Sequence, residues 1–154
     1  MNRSTPLSWR ERLDRSRARA WILQVLYRWE SGSVSETLSE ALEDTVATRR
    51  ISPRRIEYVT EIVRLIEEHL PELDRELRLA LDNWRLDRLS AIDRGILRLA
   101  AAEMLFRDDI PPKVSIQEAV RLAETYGGPE SPRFVNGVLD ALYRKGGEGG
   151  RRRP

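Results

Sequence analysis

The sequence predicts an all-α fold, and three observations carry that prediction. Apolar residues recur at three- and four-residue spacing along most of the chain, and no segment alternates in the manner of a half-buried strand. Residue patterns that start helices, Ser-x-x-Glu and Ser-Pro, stand just ahead of several of these stripes. Glycine, proline and Asp-Asn clusters divide the stripes into about seven helices joined by short loops.

The first helix is expected to start at Ser8, which pairs with Glu11 as a capping box. Its stripe is Leu13, Ala20, Leu23, Val25, Leu26 and Trp29, and Ser31-Gly32-Ser33 stops it. A second helix is expected over about residues 34–48, with Leu38, Ala41, Leu42 and Val46 on one face. Ser52-Pro53 opens a third, because proline lacks only a donor that the first turn does not need. Its stripe is Ile56, Val59, Ile62, Val63 and Ile66. Pro71 disfavours helical geometry at Leu70 and should end or kink this helix, the next one carrying Leu73, Leu77 and Leu81.

The most apolar helix follows Asp82-Asn83, with a Ser90–Asp93 cap and apolar residues around much of its circumference, so it belongs at the centre of the fold. Ser115 and Glu118 read as a capping box for the helix after it, which Gly127-Gly128 closes. Ser131-Pro132 opens the last helix, expected to run to about residue 144. Its Asn136-Gly137 step would signal a hairpin elsewhere. Here the stripe Val135, Val138, Leu139 and Leu142 makes it helical, and close approach of a neighbouring helix is one use for a glycine there. The expected organisation is an N-terminal extension over residues 1–10, one helical domain over 11–145, and a disordered Gly- and Arg-rich tail over 146–154.

Composition narrows the function classes. With 154 residues the chain can bury one sizeable helical core. It has no cysteine, which excludes disulfides, thiolate metal sites and a cysteine nucleophile. His69 is the only histidine and sits near a helix end, where a cation suits the helix dipole. Without cysteines or spaced carboxylates around it, it makes a poor metal site. No phosphate-binding glycine loop or dinucleotide fingerprint is present. The reading is a non-enzyme with no cofactor and no metal. No apolar run reaches the roughly 18 residues of a membrane span, and the Arg-rich start lacks the apolar core of a secretion signal. The expected location is cytoplasmic, with no membrane partner.

The net charge of +2 says little, but its distribution says more. Arg3, Arg10, Arg12, Arg15, Arg17 and Arg19 crowd the start against Glu11 and Asp14, and Arg144, Lys145, Arg151, Arg152 and Arg153 crowd the end. Basic ends on a balanced body fit a polyanionic partner or simply solvated, solubilising ends. Arg12, Arg15 and Arg19 share one helix face, where like charges repel mildly. Bidentate contacts to phosphate would relieve that repulsion, as would partial neutralisation by Glu11 and Asp14. Phe134 lies off the main stripe beside Arg133 at a helix start. It could pack in the core, or stack on an unpaired base while the helix end and guanidinium hold phosphate. Trp9, Trp21, Trp29 and Trp84 read as core or interface anchors rather than a base-stacking array.

Four segments together resemble the NusB family of bacterial transcription antitermination factors. They are Arg17-Ala18-Arg19-Ala20 leading to Gln24-Val25-Leu26-Tyr27; residues 89–103 with Ile92-Asp93-Arg94-Gly95-Ile96-Leu97-Arg98; residues 110–120 from Ile110-Pro111-Pro112-Lys113; and Arg133-Phe134-Val135-Asn136-Gly137-Val138-Leu139-Asp140. They stand in the family's order over about residues 12–144.

The resemblance implies a NusB-like fold of two packed three-helix-type bundles. It further implies that the chain binds the boxA element of ribosomal RNA leaders together with NusE, a small-subunit ribosomal protein, and joins RNA polymerase with NusA and NusG to read through terminators. Carried over by position, the RNA-binding residues are Arg15, Arg17, Arg19, Arg133, Phe134 and Asn136, with Lys113 and Tyr126 as weaker candidates. Asp93 and Arg98 mark the NusE-facing helix. The chain departs from the family at Ser16, where a cation is missing, at Trp21, which replaces a small residue, and in the proline-rich loop 128–132. Two alternatives accompany this reading. Some members self-associate, so a homodimeric RNA-binding domain is one. NusB-like domains also precede the catalytic domain of some ribosomal-RNA cytosine methyltransferases. The absence of a catalytic cysteine, and of room for a cofactor-binding domain, stands against the second.

Overall fold

A computed structural model describes residues 6–148, and six α-helices account for most of them. They are α1 (Trp9–Ser31), α2 (Leu38–Thr48), α3 (Pro53–Leu81), α4 (Ala91–Phe106), α5 (Pro112–Tyr126) and α6 (Ser131–Glu148), with one 3₁₀ turn at Leu86–Arg88. Residues 1–5 and 149–154 lie outside the described residues, so Arg3 of the expected N-terminal extension and Arg151, Arg152 and Arg153 of the expected tail fall there. The chain divides into two compact units between Glu68 and His69.

In the first unit, α1 starts where the sequence places it. Ser8 accepts the Glu11 N–H and the Glu11 carboxylate accepts the Ser8 N–H, so two orphan donors of the first turn are satisfied reciprocally. Ala18, Ile22, Val25 and Leu26 of α1, Leu38, Ala41 and Leu42 of α2, and Val59, Ile62, Val63 and Ile66 of α3 are buried. The second helix begins later than expected. Residues 33–36 form a turn in which the Glu36 N–H meets the Ser33 carbonyl. A capping box between Thr37 and Glu40 then starts α2 at Leu38. That box sits inside the expected helix and outcompetes the weaker start at Val34, which is fully exposed.

At Pro71 α3 is two helical segments joined across a kink, as the sequence allowed, so six helices are counted where about seven were expected. The non-helical residue is His69 (φ −118°, ψ 20°), one position earlier than the expected Leu70. Proline lacks the donor for the preceding turn and its ring crowds that turn's carbonyl, so the chain opens before it.

The second unit is built around α4, in which every residue from Gly95 to Leu105 is buried. The first turn of α4 is capped by Ser90, which accepts the Asp93 N–H. The fifth helix starts at Pro112, three residues before the Ser115–Glu118 pair read as its cap. Ser115 is buried within the helix and donates to the carboxylate of buried Glu103 at 2.8 Å. An unpaired buried carboxylate is costly, so the hydroxyl has a tertiary use and the proline takes over the start of the helix.

Gly127 closes α5, but in an extended conformation. Its need for glycine is steric: a Cβ there would lie 2.6 Å from the Ser131 Cβ and 2.9 Å from the Ala123 carbonyl oxygen. Gly137 is the reverse case. A Cβ there meets nothing within 4 Å, so no neighbouring helix requires it. Among the described residues no helix is long and apolar enough to cross a membrane, and no cluster of His, Asp and Glu is arranged to hold a metal ion.

Candidate nucleic-acid interface

The basic face of α1 is organised by contacts that the sequence spacing did not reveal. Arg12 folds back and donates to the Leu7 carbonyl at 2.7 Å. Asp14 accepts from Arg55 at 3.0 Å and pairs with Arg54 at 3.3 Å, tying α1 to the start of α3. Arg15 and Arg19 converge on one ring. Their Cζ atoms lie 4.8 and 5.8 Å from the centroid of Tyr58, which is itself buried. Two cations that repel each other therefore share one electron-rich ring, which helps to order both guanidinium groups. Arg17 is exposed, Arg15 is half-buried, and Arg19 is only 3% exposed. Arg17 and Arg15 are thus placed to meet a solvent-borne anion. Arg19, named by the family resemblance as an RNA contact, is packed against Tyr58, and the contacts described for it are internal.

In the second unit the start of α6 is held at a three-way joint. The Ser131 hydroxyl donates to Asp93 of α4 at 2.7 Å and accepts the Gly128 N–H at 3.0 Å. Ser131 is the first helical residue and not the cap, because its hydroxyl is taken by these two bonds, and the Phe134 N–H closes the first turn on the Glu130 carbonyl. This joint fixes what the first turn presents. Arg133 and Asn136 are exposed, and Phe134 is half-buried, with its ring meeting that of Trp84 at 5.2 Å and 71°. Phe134 is thus neither fully buried nor fully exposed, and the fully core-facing positions of the turn are Val135, Val138 and Leu139. Lys113 and Tyr126 are both exposed, at opposite ends of α5.

The two residues expected to face a protein partner are engaged within the chain. Asp93 accepts the Ser131 hydroxyl. Arg98 is buried and forms a bidentate pair with Asp74, both N···O distances being 2.9 Å. Their neighbourhood is set by packing between α3, α4 and α6 inside the unit, and α4 spacing alone could not show it. Sequence spacing does not single out Tyr58, and it reads Trp84 as a core or interface anchor. Tyr58 stands four positions before Ile62, on the flank of the α3 stripe, and Trp84 follows the Asp82-Asn83 turn signal beside Arg85.

Comparisons with known proteins identify relatives of the chain and of its fold. The sequence profile described as the NusB family matches residues 16–144. The transcription antitermination protein NusB of Myxococcus xanthus is 40% identical over 122 residues, covering 78% of this chain and 87% of that protein. The solved structure of NusB from T. maritima is similar with a TM-score of 0.77 at 36% identity, covering 85% of this chain and 91% of that one. A chain from a crystal structure of antitermination factors NusB and NusE in complex with dsRNA is similar with a TM-score of 0.76 at 28% identity, covering 86% of this chain and 98% of that one.

Proposed function

The chain belongs to the NusB family, and we propose that it is a transcription antitermination factor that binds boxA RNA of ribosomal RNA leaders together with NusE. It acts in the bacterial cytoplasm as an adaptor and not as an enzyme. The complex it forms with NusE on RNA joins RNA polymerase, with NusA and NusG, during elongation. The observation that carries the reading is the first turn of α6. An aromatic ring is held partly exposed at a helix N-terminus between an exposed cation and an exposed amide. That combination suits an unpaired nucleotide: the ring stacks on the base, the guanidinium and helix end attract phosphate, and the amide reads a base edge.

The first unit adds its own contacts through Arg15 and Arg17, with Tyr58 holding Arg15 in place. Lys113 and Tyr126 extend the second unit's contribution. NusE engages the α4 region, where Asp93 and Arg98 act by holding the start of α6 and the end of α3 in register. Two proteins sharing one RNA segment bind it more tightly than either does alone. Phosphate contacts make that binding fall as salt rises.

The test is a filter-binding comparison of boxA RNA and a scrambled RNA with NusE present. Preference for boxA is expected, and Phe134→Ala and Arg17→Ala should each lose RNA while NusE is still captured. Equal binding of the two RNAs would refute the proposal.

A further inference from the structure

Trp84 stands at an unusual place for the largest apolar side chain. It is 61% exposed at the turn that leaves α3, where a core or interface anchor was expected from the sequence. The backbone holds it there at some cost. Asp82 takes a left-handed conformation (φ 58°), uncommon for a residue other than glycine, and the Trp84 N–H closes the turn on the Leu81 carbonyl at 3.1 Å. Just beyond it, Arg94 donates to the carbonyls of Leu86 and Leu89 at 3.0 and 2.7 Å, pinning the 3₁₀ turn that follows. The main chain that carries the indole is therefore held on both sides. One side of it is taken by the ring of Phe134, edge to face, and the rest stays open to solvent. Its chain neighbour Arg85 is exposed, as is Arg133 beside Phe134.

We propose that Trp84 is an RNA-binding residue of this chain, stacking on an unpaired base adjacent to the nucleotide held at Phe134. The inference rests on the RNA-binding reading above and adds a residue to that surface. A rigid aromatic loses little conformational freedom on stacking, and every base offers it a face. The T-shaped contact makes Trp84 continuous with Phe134, and exposed Arg133 supplies charge of the sign that phosphate requires, while Arg85 is paired with Asp87 at 3.2 Å. Together the two rings would take successive bases and orient the strand along the end of the second unit.

The test uses the full chain and a boxA oligonucleotide, with Trp84→Ala, Trp84→Phe and Arg17→Ala as variants. Trp84→Ala should weaken RNA binding about 5- to 150-fold, the range that loss of one stacked base produces. Trp84→Phe should keep most of the affinity. RNA should quench tryptophan emission in the unsubstituted chain, and Trp84→Phe should abolish that part of the quench. The phenylalanine variant keeps the question decidable if the alanine variant folds poorly. Unchanged affinity in a folded Trp84→Ala, or a quench undiminished in Trp84→Phe, overturns the inference while the function stands, the other three tryptophans accounting for any smaller residual quench. So does loss of NusE capture with RNA binding intact, since the indole would then serve a protein contact. If the unsubstituted chain fails to distinguish boxA from scrambled RNA with NusE present and Arg17→Ala changes nothing, the RNA-binding reading falls and this inference with it.

Discussion

Replacing Asp74 or Arg98 by alanine asks whether Arg98 serves the fold or a partner. The pair is bidentate, with two N···O distances of 2.9 Å, and the Arg98 and Asp74 side chains are 10% and 12% exposed. Removing one partner of a buried pair costs about 3–5 kcal/mol, because the other charge is left buried and unpaired. The residual exposure lets water reach the orphan, so the lower end, about 3 kcal/mol, is expected for either single substitution. In a chain of this length about 1 kcal/mol moves the melting temperature by about 2–4 °C, so the loss should be about 6–12 °C. The double substitution leaves no orphaned charge and should cost clearly less than the two singles combined. Thermal unfolding followed by circular dichroism measures all three, and NusE capture well below the transition should be retained in each. The reasoning fails if Arg98→Ala melts within about 2 °C of the unsubstituted chain yet no longer captures NusE. Arg98 would then be a contact residue.

Further substitutions probe the other joints. Gly127→Ala drives a Cβ against Ser131 and a backbone carbonyl that cannot move aside. It should destabilise by about 1–3 kcal/mol in urea unfolding. Gly137→Ala places its Cβ in open space on an exposed helix face, so it should stabilise by about 0.5–1 kcal/mol in the same assay. Thr37→Ala removes the cap of α2 and should cost about 1 kcal/mol. Tyr58→Leu frees Arg15 and Arg19 from their shared ring and should weaken RNA binding by about 2- to 10-fold. In an Arg15→Ala, Arg19→Ala background the same change should have no effect on RNA affinity.

What the sequence determines is whatever a few neighbouring residues can decide among themselves. The Ser8–Glu11 box, the start of α3 at Pro53, the apolar stripes and the buried middle of α4 are all settled within one or two helical turns. The four family segments are legible for the same reason, since each is a contiguous run. Even the misplaced starts of α2 and α5 are local matters. In α2 a stronger cap lay a few residues on, and in α5 a proline lay a few residues back.

The tertiary structure decided which functional side chains are free and which are committed. Arg17 and Arg19 look alike in sequence, yet one is exposed and the other lies buried against Tyr58, 39 positions along the chain. Ser131 has the sequence of a cap but bonds to Asp93, 38 positions away, and Arg98 finds Asp74 at a separation of 24. Trp84 has the composition of a core residue and is held outside by a left-handed turn and the edge of Phe134. The physical reason is one of range. Caps and helical periods are satisfied by hydrogen bonds and packing three or four residues apart, whereas burial and charge pairing depend on which distant segments the folded chain brings together.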